Sequence, residues 1–322
     1  MTFNWSKKPF LLGFLYAFII TGAYVVGDAL WGIEVSLPWQ PISVLGIAVA
    51  FYLGFKNNSS YDRTWEARKI WGGIVNNSRT FGAAVKAFVQ GENANEVQRQ
   101  LIYRHISWLT ALRHQLRLAR EWEHTDERAK DRFSVGLDQN LHDRLRSEMQ
   151  PLLPKEEIEK YLTKTNVATQ ILHKQSEVLQ ALRDQEYFED FRHMEFHSLI
   201  RSFYEEQGKS ERIKNFPFPR QYASVALWQT YIFAFLIPFG MLNIFGQIGG
   251  GYLWLNAPLS GLIIWVFFLM EMIGDYSENP FEGTYNDVPI SNISRGIEID
   301  LREMLEEENI PAPVADENGF LM

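Results

Sequence analysis

Few residues in this chain have the types and spacing for bond-making chemistry. His193 and His197 stand four apart with Glu195 between them, so one helix turn would carry both imidazoles. A transition metal held there needs further ligands. The sequence nominates none, and the pair reads as ordinary helix-surface histidines. There is no Gly-rich phosphate loop, no GxSxG and no HExxH. The absence of Cys removes disulfide and thiolate chemistry. No enzyme, cofactor or metal is expected. Two acids, Glu271 and Asp275, stand at the end of an apolar run, where an ionisable group is a functional candidate. Their shallow depth favours snorkelling to the interface.

A different kind of chemistry is written between residues 42 and 55. Ile47, Phe51 and Phe55 recur every four residues, so a helix would align them as one bulky stripe. Gly46, Ala48, Ala50 and Gly54 give the same helix a small-residue surface for close neighbours. The stripe is either core or lipid-facing surface, or a constriction formed where several copies face each other. Such a constriction controls ions by width and dewetting. Aromatic ring edges carry partial positive charge and can touch an anion that is losing its water. Spacing alone leaves both readings open.

The elements that must position this stripe show in the distribution of charge. Mean hydropathy is slightly polar at −0.18, yet the apolar residues concentrate towards the chain ends. Lys and Arg are absent from residues 9–55 and again from 221–294. Excluding basic residues from two long blocks marks a membrane protein. The net charge of −8 gives no support for nucleic-acid binding. Four spans are expected, at about 10–33, 41–55, 223–245 and 253–273. The first, preceded by Lys7 and Lys8, rivals a signal peptide, but it is long, aromatic and without a clear cleavage site. The second is short and suffices only if its helix continues past Lys56. Pro41 suits that helix's first turn and Pro238 is expected to kink the third span. Trp228, Tyr231, Tyr252 and Trp254 fall near span ends, where amphipathic rings favour the interface.

These spans give a first transmembrane hairpin at 1–55, a cytosolic helical domain at 56–220, a second hairpin at 221–274 and a C-terminal segment at 275–322. Both hairpin loops lack cations (the first holds Asp28 and Glu34), so both termini and the helical domain belong in the cytoplasm. In that domain residues 102–118 and 158–182 show apolar residues at helical spacing. Gly91, Pro151, Pro154 and residues 215–219 mark breaks. Charges pair along helix faces, as in Glu66 with Lys69. The tail from Glu306, with several Glu and two Pro, is expected to be partly disordered.

Two motifs name a family. GFKNNSSYDRTWEARKIWGGIVNNSR (54–79) closely resembles bacterial bestrophins, and ENPFEGTYNDVP (278–289) resembles that family's motif after the fourth span. With the spans and helical insert in matching order, the resemblance covers about residues 10–305. It implies an all-α integral membrane protein, a homopentameric channel with four transmembrane helices and a cytosolic helical domain per subunit. It further implies a bacterial inner-membrane location, with lipids and small monovalent ions as partners. The family's pore neck falls on Ile47, Phe51 and Phe55. A second, cytosolic aperture falls on or near Phe191, with Tyr187 and Met194 as alternatives. Animal members are calcium-activated anion channels whose clasp is an acidic run after Asn-Pro-Phe. Here that run keeps only Glu282 and Asp287, which with Asn279 are residual candidates, and weak or no calcium gating is expected. Bacterial members include cation channels. The aromatic neck favours anions slightly, while Glu186, Glu189 and Asp190 at the exit favour cations. A sodium-type cation channel is therefore the alternative, followed by a non-conducting membrane scaffold. A secondary transporter would need repeats that are not visible.

Overall fold

The computed structural model describes residues 2–32, 35–120, 123, 141–283 and 287–315. Glu34 and Ile33 of the expected first hairpin lie outside them, as do Thr284, Tyr285, Asn286 and residues 316–322. The described residues are all helix and loop. In order they form α1 (Thr2–Trp31), α2 (Trp39–Phe88), α3 (Ala94–Arg117), α4 (Leu141–Met149) and α5 (Lys155–Leu162). Then come α6 (Val167–Asp184), α7 (Asp190–Asn215), α8 (Arg220–Ile248), a 3₁₀ turn (Gly250–Leu255), α9 (Asn256–Ser277) and α10 (Ile290–Met304). Two compact units result: Met1–Asp62 with Phe218–Glu278, and Arg63–Pro217 with Asn279–Met322.

In the first unit, α1, α8 and the 3₁₀ turn with α9 are long and apolar enough to cross a membrane. The opening of α2 does not meet that test by itself, as its short apolar run foreshadowed. Backbones approach closely where side chains are missing. A Cβ on Gly261 would stand 3.0 Å from the Phe14 backbone, and one on Gly46 would enter the Phe233 ring. A buried polar knot fixes the α8–α9 hairpin against α1. Asn256 Nδ2 donates to Thr21 Oγ1 (2.9 Å) and to the Pro238 carbonyl (3.2 Å), and Ser260 donates to Asn256 Oδ1 (2.7 Å). α8 stays helical through Pro238.

The second unit packs α3, α6 and α7 with the later turns of α2 around Trp71, Phe81, Trp108, Phe196 and Phe203. α10 lays Ile290, Ile297 and Leu301 on the same core. The apolar periodicity at 158–182 belongs to two helices, not to one. The first, α5, ends at Leu162, and Asn166 caps the start of α6, its side chain accepting the Thr169 amide at 2.9 Å. The tail is anchored where it is described: Glu307 accepts from Tyr103 Oη (2.6 Å) and from Arg302 (3.1 Å).

One core residue makes this unit acid-sensitive. His105 is sealed among Phe81, Trp108 and Phe203, with its Nε2 2.9 Å from Ser78 Oγ. Burial pushes its imidazole from 6.5 down to about 3. The unfolded chain therefore takes a proton at His105 below pH 6.5 while the folded chain does not. The stability tied to the neutral ring is intact above that pH and drains away down to pH 3. At pH 5 the loss is about 2 kcal/mol. Chemical denaturation of wild type and His105→Gln across pH 7.5 to 5 checks it, and the variant should lack this slope.

Candidate functional site

The geometry of α2 separates two faces. Ile42, Gly46, Val49, Leu53, Lys56 and Ser60 are buried against the first unit. Opposite them run Val44, Ile47, Ala48, Phe51, Gly54, Phe55 and Asn58, all exposed, with Phe51 at 79%. At 100° per residue this arc centres on Phe51 and places Ile47 and Phe55 to either side of it. Phe55 also leans on Tyr222, their ring centroids 6.1 Å apart. The sequence stripe is thus one continuous outward face, turning polar at Asn58 and Asp62.

Directly behind the stripe lies a cluster that sequence reasoning missed. Lys56 Nζ donates to Glu271 Oε1 at 3.0 Å and stands 3.5 Å from Asp275 Oδ1. The Lys56 and Glu271 side chains are 1% and 8% exposed. Glu271 therefore does not snorkel to the interface; it is drawn inward by a buried cation. The signal was available: neither residue has an opposite charge three or four positions away on its own helix, Asp275 being like-charged with Glu271. A charge without a local partner at the end of an apolar run needs a distant one.

In the second unit Phe191 opens α7 and is 86% exposed. Met194, one turn on, is exposed as well, while Tyr187 turns inward against the core. Arg183 donates to Asp190 at 2.6 Å and to Asp184 at 3.1 Å. That guanidinium holds the Asp190 carboxyl below its usual range and offsets part of the local negative charge. His193 and His197 stack at 6.5 Å between ring centroids, with Phe188 against His193. Among the described residues no group of three or more His, Cys, Asp or Glu side chains converges to hold a metal.

Of the residual calcium candidates, Asn279 is buried, Glu282 half-buried and Asp287 enclosed by donors. Asp287 accepts from the amides of Phe281 (2.7 Å), Gly283 (2.7 Å) and Val288 (2.6 Å), and from Arg117 Nη1 (2.6 Å).

Three helices long and apolar enough to cross a membrane, with a separate helical unit, define an all-helical protein of the membrane class. The family model for the bacterial/fungal bestrophin protein matches residues 8–303, and this chain belongs to that family. A voltage-dependent anion channel-forming protein of Ralstonia nicotianae is 28% identical over 278 residues, covering 86% of this chain and 81% of the relative. The protein of the same description from Escherichia coli K12 is 26% identical, covering 90% of this chain and 83% of its own. In structure, a bacterial bestrophin homolog from Klebsiella pneumoniae superposes with a TM-score of 0.78 at 23% identity. That match covers 94% of this chain and 99% of the other. At that identity the likeness speaks for the fold.

Proposed function

We propose that this protein is a homopentameric channel of the bacterial inner membrane that passes small monovalent ions, anions somewhat more readily than cations. Each subunit contributes four membrane helices, the second being the opening of α2, with both termini in the cytoplasm. The observation that carries the reading is the outward arc of α2. Its centre is aromatic and aliphatic, and its opposite face is already packed. Copies meeting along this arc would ring a narrow apolar neck at Ile47, Phe51 and Phe55. The buried Lys56–Glu271 pair holds α2 with this arc outward. Phe191 is the matching constriction on the cytosolic side.

The anion preference draws on ring edges at the neck and on the anion channel-forming relatives. A cation channel is the alternative reading, because Glu186, Glu189 and Asp190 are exposed and Arg183 offsets only part of their charge. Reversal potentials of purified protein in planar bilayers under a potassium chloride gradient separate the two. We expect a potential displaced towards the chloride equilibrium value. Displacement towards the potassium value would overturn anion preference and leave the channel reading standing. The absence of any ion flux would overturn the channel reading and favour a scaffold.

A further inference from the structure

One carboxylate gathers the described residues Phe281, Gly283 and Val288. Asp287 Oδ1 accepts the Phe281 and Val288 amides, and Oδ2 accepts the Gly283 amide and Arg117 Nη1. A carboxylate offers about four lone-pair positions, and here all are taken. Arg117 Nη2 then reaches past Asp287 to the Val288 carbonyl at 3.2 Å, so its fork grips both side chain and backbone. The Arg117 and Asp287 side chains are 6% and 1% exposed.

The turn is one that needs holding. Phe281 adopts a left-handed φ of 73°, rare for a bulky residue, and Gly283 follows with 96°. Phe281 is fully buried and tilts against Trp71 at 6.5 Å between ring centroids. A second buried cation, Lys214, pairs with Glu123 and feels the Asp287 charge. Calcium wants six to eight oxygens, several of them carboxylate. Around Asp287 a divalent ion would meet the Arg117 guanidinium and a carboxylate whose lone pairs are already taken, so the residues present do not fit one.

We propose that Arg117 is a tethered cation that closes the Asp287 turn permanently, so that the chain's entry into α10 is set without any divalent metal. The guanidinium comes from the last residue of α3, where a positive charge also meets that helix's carbonyl end. The proposal does not depend on which ion the channel passes.

Hydrogen–deuterium exchange on the full-length protein tests it. In wild type the Phe281, Gly283 and Val288 amides should exchange equally slowly in millimolar calcium and in chelator. In Arg117→Gln the same amides should lose about tenfold or more of their protection while the Trp108 segment keeps its own. Millimolar calcium should not restore that protection, because the remaining residues do not supply a divalent ion with its oxygens. Calcium-dependent protection in wild type would overturn the proposal. So would unchanged exchange in R117Q, or calcium restoring full protection to R117Q. If R117Q does not assemble, the wild-type comparison still decides.

Discussion

Channels carrying Phe51→Ala and Phe55→Ala together are expected to conduct at least about tenfold more than wild type, the factor that removing about 1.4 kcal/mol of barrier gives. Both rings stand on the exposed face of α2, at 79% and 53% exposure. Their removal widens the proposed neck in every subunit and eases wetting of the pore. The fold should tolerate the change, because neither ring belongs to the buried cluster of the first unit. Val49→Ala is the matched control. Val49 lies on the opposite face with no exposure, so its truncation should cost stability and leave conductance alone. Single-channel amplitude and thermal melting of the same preparations separate the two effects. Equal amplitudes for wild type and the double variant would remove the neck from α2.

The second large effect is expected at Lys56. Lys56→Met takes the Lys56 ammonium away from the buried Glu271 carboxylate, and Glu271→Met leaves buried Lys56 only the longer contact to Asp275 at 3.5 Å. Breaking a buried pair from one side costs about 3–5 kcal/mol. Replacing both by well-packed apolar residues is often close to neutral. The K56M/E271M double variant should therefore melt near wild type while each single variant melts far below it. Asp275, 3.5 Å away and partly exposed, keeps water within reach and compensates little. The readout is the detergent-solubilised melting temperature of all four proteins. A double variant as unstable as the two singles combined would show that the charges themselves, not their mutual satisfaction, hold α2 in place. The pair also sets which face of α2 is outward, so the single variants should lose uniform channel amplitude, and the double variant should regain it.

Much of the membrane architecture was legible because lipid imposes long runs without basic residues. The bare run between Pro9 and Phe55 and that between Gln221 and Ser294 located α1, α8 and α9. The uninterrupted passage from Ile42 past Lys56 was legible for a simpler reason: no proline or strong breaker stands there, and α2 does continue to Phe88. Period four was enough to align Ile47, Phe51 and Phe55. What failed were contacts between residues far apart in the chain. Lys56 and Glu271 are 215 residues apart, and each alone resembles an interfacial charge. Asp287 was noticed as an acid, but Arg117, 170 residues earlier, sat in a helix rich in basic residues and carried no mark of its own. Helical spacing at 158–182 was legible, but the break at residues 163–166 was not, because only the Asn166 cap marks the start of the second helix.

The chain contains no cysteine, which makes the most direct test of the pore clean. Phe51→Cys and Val49→Cys proteins can be recorded in planar bilayers while a charged, membrane-impermeant thiol reagent is added to the bath. If copies of α2 line the ion path with the Phe51 face, current through the Phe51→Cys channel should fall sharply and irreversibly, and current through Val49→Cys should not change. Full current through reagent-treated Phe51→Cys, with the thiol shown to be modified, would contradict a pore along this face of α2.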